Sequence, residues 1–322
     1  MVTVGGKWYG AKSNTTAEGA IRVGWVPTAT WIPWATMGQE LPEDTQLELI
    51  PFKSSNDELT ALANGSIDMA PVGYNNVAAL LGGSDPKVTF VSGISSNGSV
   101  FLAGKDSGIK TWEDLRGKRI ASVRGSTQYV HLATAMKLHG LDIEKDATYV
   151  NMQAFPDLNL GLERGDVDAV VTFPPLSGEA VESGYATTVD DIQDEIFDGS
   201  FAVASGVLVN DSYLESDRDG VKTIIAALQR RVDALSAEPQ KWEDTYGEVT
   251  GSSGALIADS LDKEYIRPEI DMPMSEIMTV PTILAQMGII DNDTSAQLEA
   301  HIDYSILEEV TGKPASELGK ND

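Results

Sequence analysis

The sequence predicts an α/β protein with two similar lobes, because short apolar strands alternate with helices and one segment of the chain repeats another. Residues 57–72 read DELTALANGSIDMAPV, and residues 157–172, which lie 100 positions later, read DLNLGLERGDVDAVVT. Each copy predicts a helix that ends at a glycine, Gly65 or Gly165, followed by an aspartate and a buried strand. Two such units indicate two lobes, and we expect a ligand to be held between them.

Composition fits a folded chain of two domains. The chain has 322 residues, of which 42% are hydrophobic, and no run of 18 apolar residues that could form a membrane span. Its 49 acidic and 23 basic residues give a net charge of −26, which argues against a nucleic-acid partner. The absence of cysteine excludes disulfides, thiolate metal sites and cysteine nucleophiles, and the three histidines lack a zinc-like spacing. We therefore predict no catalytic residue, cofactor or metal.

The first cycle of elements starts at Ala20. It predicts strands at 21–26, 47–52, 67–73, 88–95 and 100–104, all in one sheet, with helices over about 32–40 and from about Ser55. The spacing of Ser55 and Glu58 fits a capping box for the second of these helices.

The second cycle starts at Thr111, which we expect to cap a short turn. It predicts strands at 119–125, 148–152 and 167–173, a helix from about Thr127 to His139 that ends at Gly140, the second repeat helix, and a returning strand at 205–210. Residues from Asp219 to about Gly312 read as mostly helical. This alternation implies parallel-rich sheets with helices on both faces.

The expected lobes are discontinuous, since no linker rich in proline, serine or glycine separates the two cycles. Strand-like crossings at 102–106 and 204–210 predict one lobe from 20–103 plus 207–322 and the other from 104–206, after an N-terminal tail at 1–19. The start of the chain is polar and rich in glycine, so we interpret it as a spacer or an expression remnant rather than a signal peptide.

The stretch TWEDLRGKRIASVRGSTQYVHLATAMKLHGLDIEKDATYVNMQAFPDLNLGLERGDVDAV resembles the second lobe of ABC-importer solute-binding proteins. It is similar to the branch that binds taurine, alkanesulfonates, nitrate and thiamine-pyrimidine precursors. The most specific pieces are DLRGKRI (114–120), GST at the start of a helix (125–127) and the paired LxxGxxD motifs, and the resemblance covers about residues 20–310. It implies a two-lobed periplasmic binding protein type II fold with the ligand in the cleft between the lobes.

The turn Gly125-Ser126-Thr127 is the first candidate binding element, because it lies between a strand and a helix. A helix N-terminus offers unpaired N–H groups and a partial positive charge, which favour an anion, and the two hydroxyls add donors. The resemblance implies that this turn contributes to the ligand site. Alternatively, Ser126 only caps its own helix. Arg124, just before the turn, could pair with an anion or point into solvent.

Polar residues follow two strands of the first lobe. Ser54 and Ser55 come after the strand at 47–52, where helix capping and ligand contact are both open. Gly73-Tyr74-Asn75-Asn76 follows the strand at 67–73, and loops at the carboxyl ends of parallel strands are where open α/β sheets bind ligands. An ordinary turn is the alternative there.

Aromatic residues complete the expected site. Trp25 ends a strand and Trp31 lies near a helix start, so either could stack on an apolar ligand or face an ammonium group, although core packing also explains them. Phe155 and Phe173 are their counterparts in the second lobe. We expect His131 to be a packed or surface imidazole. The predicted ligand-binding residues are Trp25, Trp31, Ser54, Ser55, Tyr74, Asn75, Asn97, Gly125, Ser126, Thr127, Phe155 and Phe173.

The expected function is that of a solute-binding protein of an ABC importer, which captures a small organic anion such as taurine or an alkanesulfonate by hinge closure. The aromatic residues leave open an aromatic carboxylate, an aryl sulfonate or a pyrimidine vitamin precursor as the ligand. Two other classes stay open: a lyase-type enzyme on the same fold, and a ligand sensor that never meets a transporter. Cysteine-dependent chemistry, as in the related sulfinate desulfinases and thiamine-pyrimidine synthases, is closed to this chain.

The resemblance also implies where the chain works and with what. Its partners would be the small ligand and the transmembrane subunits of an ABC permease, with no nucleic acid, and the chain would act as a monomer. We expect an exported protein, periplasmic or lipid-anchored at the outer face of the cytoplasmic membrane, whose export signal is not part of this sequence.

Overall fold

The computed structural model of the protein describes residues 2–4, 7–9 and 19–320. The chain forms two compact units. The first runs to Ser96 and also includes Val203–Ser252 and the residues from Pro268 onward, and the second consists of Asn97–Ala202 and Ser253–Arg267. Of the expected tail at 1–19, only two short paired strands and Gly19 lie within the described residues.

The strands are β1 (Val2–Val4), β2 (Lys7–Tyr9), β3 (Ile21–Trp25), β4 (Leu47–Pro51), β5 (Met69–Gly73), β6 (Val88–Asn97), β7 (Val100–Gly104), β8 (Arg119–Ser122), β9 (Thr148–Asn151), β10 (Ala169–Thr172), β11 (Ala186–Thr188), β12 (Val203–Asn210) and β13 (Ile266–Pro268). The α-helices are α1 (Ile32–Thr36), α2 (Ser55–Ala63), α3 (Tyr74–Leu81), α4 (Thr127–Leu138), α5 (Phe155–Glu163), α6 (Leu176–Glu182), α7 (Asp190–Gln193), α8 (Asp211–Ser216), α9 (Arg218–Ser236), α10 (Pro239–Thr250), α11 (Ile257–Asp262), α12 (Met274–Gln286), α13 (Ser295–Glu299) and α14 (Ser305–Thr311). Short 3₁₀ helices span Ala29–Trp31, Met37–Glu40, Trp112–Leu115 and Ala315–Leu318.

The first unit is built on a mixed sheet with the strand order β13-β6-β12-β5-β3-β4. β3 runs parallel to β4 and β5, as the alternation of strands and helices predicts. The returning strand β12 runs antiparallel to both β5 and β6. The carboxyl ends of β3, β4 and β5 therefore share one edge of the sheet with the start of β12 and the end of β6.

The second unit contains a five-stranded sheet with the order β11-β7-β10-β8-β9. β8 is parallel to β9 and β10, whereas β7 is antiparallel to β10 and β11. The sequence-based placement of residues 100–104 in the first sheet is therefore wrong. An apolar run predicts a buried strand but carries no information about which sheet it joins, and Val100 here pairs with Thr172 of β10.

The internal repeat is explained by one arrangement that occurs in both units. Asp68 accepts hydrogen bonds from the backbone N–H of Arg22 at 2.7 Å and from its Nε at 3.1 Å. Asp168 accepts from the backbone N–H of Arg119 at 2.8 Å and from its Nε at 3.1 Å. The two aspartates thus join the segments after α2 and α5 to β3 and β8 of their own units, which accounts for the aspartate in both LxxGxxD motifs.

The helix ends follow the sequence signals, with one correction. Gly65 and Gly165 adopt φ values of +75° and +71° directly after α2 and α5, so glycine serves there as the left-handed residue that ends each helix. Thr111 forms a capping box with Asp114, as expected for the short turn that follows it.

The capping box expected between Ser55 and Glu58 is wrong. The N-cap of α2 is Ser54, whose Oγ accepts from the N–H of Asp57 at 3.2 Å, and Ser55 is the first helical residue. The side chain of Glu58 is fully buried and cannot reach back to the helix start. Two adjacent serines make the N-cap ambiguous by one residue, and spacing by itself does not resolve it.

Among the described residues, no helix is both long and apolar enough to cross a membrane.

Candidate functional site

The candidate site of the first unit is the sheet edge where β3, β4 and β5 end. The register aligns Gly73 of β5 with Ser205 of β12, and Ser205 with Ser95 of β6. Trp25 is the last residue of β3, and Ser54 follows β4. The edge therefore brings together strand ends, two serine hydroxyls and aromatic residues within one unit.

A short chain of hydrogen bonds crosses this edge. Trp31 Nε1 donates to Ser205 Oγ at 3.1 Å, and Ser205 Oγ lies 2.8 Å from Ser95 Oγ. All three residues are buried, with Trp31 only 7% exposed. Sequence reasoning missed both serines, because only the antiparallel pairing of β12 shows that its first residues lie at the same edge as the ends of β3 and β5.

Two tryptophans, Trp25 and Trp34, are buried near the end of β3. Trp25 is 5% exposed, and Trp34 is fully buried with its Nε1 donating to the carbonyl of Gly24 at 2.8 Å. The N–H of Phe52 donates to the carbonyl of Trp25 at 2.9 Å, which joins the residue after β4 to the end of β3. The backbone at the end of β3 is thereby held from two sides.

The residues that follow β5 begin helix α3. Tyr74 is 2% exposed and its ring packs against Phe90 with centroids 4.6 Å apart. Burial raises the pKa of its phenol well above the ordinary value. Asn75 is 7% exposed, and the next residue, Asn76, donates through Nδ2 to Asn56 Oδ1 of α2 at 3.0 Å. That bond connects the first turns of α2 and α3.

Helix α2 contains a buried acid beside the candidate site. Glu58 is fully buried, and neither of its carboxyl oxygens has a hydrogen-bond partner among the described residues. Burial without a compensating charge raises the pKa of this carboxyl to about 9. Glu58 is therefore protonated and neutral at pH 7.

The candidate site of the second unit is the turn that leads from β8 into α4. Gly125 has φ +80°. Ser126 is the N-cap of the helix, and its Oγ accepts from the N–H of Tyr129 at 3.2 Å, so the capping role that the sequence left open is present. Thr127 is the first residue of α4. The positive end of this 12-residue helix is half-exposed at the turn, which suits an anion.

Arg124 lies next to this turn and is held in place from several sides. Its guanidinium lies 4.8 Å from the ring centre of Tyr149 and 5.6 Å from that of Tyr129. Its Nη2 donates to Glu144 at 2.6 Å, and its backbone N–H donates to Asn151 Oδ1 at 2.9 Å. The side chain is 51% exposed, so the cation is ordered yet reachable from solvent.

Two phenylalanines pack together in the second unit. Phe155 begins α5 and Phe173 follows β10, and their rings meet edge to face with centroids 4.6 Å apart. Both side chains are half-buried. This pair leaves aromatic surface accessible beside the end of β10.

His131 and Asn97 lie in the second unit, and the side chain of each has a hydrogen-bond partner. His131 is fully buried, its Nδ1 lies 2.7 Å from Ser99 Oγ, and burial lowers the pKa of its imidazole to about 3, which confirms the packed interpretation. Asn97 adopts φ +63°, and its Nδ2 donates to the carbonyl of Glu264 at 2.5 Å. Within the described ranges, no group of three histidine or acidic side chains could hold a metal ion.

The fold of the chain is shared with solved structures. The chain superposes on the periplasmic aliphatic sulphonate binding protein SsuA from Escherichia coli with a TM-score of 0.73 and 19% identity, over 87% of this chain and 91% of that one. It superposes on the alkanesulfonate-binding protein SsuA from Xanthomonas axonopodis pv. citri, bound to MOPS, with a TM-score of 0.72 and 17% identity, over 90% and 100% of the two chains. The two-unit α/β architecture is thus that of the periplasmic binding proteins.

The chain belongs to the NMT1/THI5-like family, whose pattern matches residues 43–242. A protein of Escherichia coli (strain K12) named as an aliphatic sulfonates-binding protein is 25% identical over 249 residues, which cover 76% of this chain and 75% of that protein. The family resemblance expected from the paired LxxGxxD motifs and the GST turn is confirmed.

Proposed function

We propose that this chain is the solute-binding protein of an ABC importer and that it captures a small organic anion, with sulfonates as the first candidates. The observation that carries the proposal is the identity of 25% over 249 residues with a protein named for binding aliphatic sulfonates. The turn at Gly125-Ser126-Thr127 supports it, because a half-exposed helix start with hydroxyls is suited to a sulfonate oxygen. Neighbouring Arg124, which is paired with Glu144, presents guanidinium donors that solvent can reach.

A second ligand class is favoured by the aromatic residues. The Phe155–Phe173 pair offers half-exposed rings, and Trp25 and Trp31 lie at the sheet edge of the first unit. The half-exposed phenylalanine rings suit a ring-bearing ligand, namely an aryl sulfonate, an aromatic carboxylate or a pyrimidine vitamin precursor. We propose binding rather than catalysis, a monomer as the working form, an exported location with or without a lipid anchor, and the permease subunits as partners.

The proposal predicts that a sulfonate will stabilise the protein. A thermal-shift screen should include taurine, linear alkanesulfonates, aryl sulfonates, aromatic carboxylates and pyrimidines, since a ligand that binds only the native state raises the melting temperature. At a ligand concentration of about 100 times Kd the native state gains about 2.7 kcal/mol, which is readily detected. Capture by hinge closure further predicts that the stabilising compound lowers the radius of gyration in small-angle scattering.

No stabilisation by any sulfonate, together with stabilisation by a pyrimidine or an aromatic acid, would favour the second ligand class. Turnover of a compound in place of stoichiometric binding would contradict the proposal of a binding protein.

The double substitution Ser126→Ala and Thr127→Ala is expected to weaken binding of the stabilising anion more than tenfold, because it removes both hydroxyl donors from the turn. The loss is measured by titration calorimetry. Thr111→Ala is the matched control, since it also removes a helix N-cap of the second unit but caps the 3₁₀ helix Trp112–Leu115 instead of α4. An unchanged affinity in the double variant would exclude these hydroxyls from the site.

A further inference from the structure

The starting observation is that equivalent positions of the two units contain different residues. Glu58 is the fourth residue of α2, and Leu158 is the fourth residue of α5. Leu158 is fully buried in an apolar cluster together with Ala121 of β8. Glu58 is equally buried, but it places a carboxyl group where the other unit has a methyl group. The fold therefore accepts leucine at this position, and a glutamate requires a separate explanation.

The neighbouring strand is adapted to the acid. When Arg22 is aligned with Arg119, Gly24 of β3 is the position equivalent to Ala121 of β8. The unit that contains the glutamate therefore has the smaller residue on its strand. A Cβ on Gly24 would lie 3.0 Å from Glu58 Oε1, 3.1 Å from Phe52 Cε2 and 2.6 Å from Ile67 Cδ1. The absence of a side chain at Gly24 thus creates the space that the carboxyl occupies.

In the part of the chain that the structure describes, no charge balances this carboxyl. Of the elements packed against α2, β5 and β12 contain no titratable residue, and α3 contributes only Tyr74, which is buried against Phe90. β3 contributes Arg22, whose guanidinium is bound to Asp68 and to the carbonyl of Ser66. The acid Asp57 on α2 itself is exposed. Desolvation by burial raises the pKa of Glu58, and this keeps the carboxyl in its neutral form.

The backbone of Glu58 is hydrogen-bonded to the candidate binding residue Ser54, which caps α2. The N–H of Glu58 donates to the carbonyl of Ser54 at 3.2 Å, and Ser54 Oγ accepts from the adjacent Asp57. A movement of this first turn of α2 toward solvent would therefore displace Ser54 and Ser55. An ionised carboxylate would force such a movement, since it has no donor at its buried position.

We propose that Glu58 is a proton-dependent positioning residue of the candidate binding site. Its neutral carboxyl holds α2 against β3 at Gly24, and its ionisation at alkaline pH releases the start of α2 with Ser54 and Ser55. The effect on solute capture rests on the proposed function, whereas the release of α2 does not. The two can therefore be tested separately.

The test is amide hydrogen exchange without ligand, at several pH values between 7 and 9.5, with rates corrected for the intrinsic effect of pH. In the native sequence, the protection of α2 amides should fall more than tenfold across this range. The protection of α5, which has Leu158 at the equivalent position, should fall less. In Glu58→Gln, which mimics the neutral acid, α2 should behave as α5 does. Glu58→Leu is the second variant, and the protection of its α2 amides should depend on pH as little as in Glu58→Gln.

Equal responses of α2 and α5 in the native sequence, or the same loss of α2 protection in Glu58→Gln, would overturn the proposal. Since no ligand is present, these outcomes are independent of whether the chain binds a sulfonate. Titration calorimetry with the stabilising compound from the thermal-shift screen then measures the consequence for the site. As pH rises, the affinity for this compound should decrease more in the native sequence than in Glu58→Gln.

Discussion

Replacing Asp68 with alanine is expected to lower the free energy of unfolding by about 3 kcal/mol. The carboxylate of Asp68 accepts from the backbone N–H and the Nε of Arg22, and only 8% of its side chain is exposed. The substitution leaves the N–H of β3 and a partly buried guanidinium without their acceptor, and a buried donor that loses its partner costs more than the bond itself contributed. Chemical denaturation measures the loss.

The second unit provides the matched control for this prediction. Asp168 makes the same set of bonds to Arg119, but its side chain is 22% exposed and that of Arg119 is 44% exposed. Water can replace the lost acceptor there, so Asp168→Ala should destabilise the protein less than Asp68→Ala. A loss of equal size at both positions would show that burial does not decide the strength of this pair.

Replacing Glu58 with leucine is expected to stabilise the protein at pH 8 and to reduce the dependence of its stability on pH. The folded state keeps Glu58 protonated up to a pKa of about 9, whereas the unfolded chain ionises it near its ordinary value. Between these two values the folded state binds one proton more than the unfolded state. The free energy of unfolding therefore falls as pH rises, by about 1.4 kcal/mol per pH unit from this group.

The measurement is urea denaturation of the native sequence and Glu58→Leu at pH 6, 7 and 8. The difference in stability between the two proteins should grow with pH and should reach several kcal/mol at pH 8. Glu58→Gln is the control of similar shape, because it removes the charge while it keeps the polar group. A native protein whose stability rises with pH relative to Glu58→Leu would contradict a neutral, buried carboxyl.

Much of the fold could be predicted from local patterns. The repeat at 57–72 and 157–172 indicated two related units, and both copies are helices that end at Gly65 or Gly165 before a buried strand. The cap at Thr111 was predicted correctly for the same reason, since a cap depends on residues three apart in the chain. Patterns of this kind need no knowledge of the tertiary structure.

Sheet membership could not be predicted in this way. The strand Val100–Gly104 is apolar on both faces and was assigned to the wrong sheet, because an apolar run fits any buried strand. The serines at positions 95 and 205 were missed because their pairing connects residues 110 positions apart. The capping box assigned to Glu58 failed for a related reason, since spacing does not reveal that its side chain points into the core.

The sequence by itself determined the α/β class, the repeat of two units, the family, and the exclusion of cysteine chemistry, because these depend on composition, periodicity and short motifs. Only the tertiary structure decided that Trp31 bonds to Ser205, that the aspartates of the repeat bind Arg22 and Arg119, and that the acid of α2 is buried beside Gly24. These features join residues distant in the chain, and the environment of a titratable group is set by such neighbours. The sequence gives the residue type at position 58, but the protonation state of Glu58 is a property of the folded molecule.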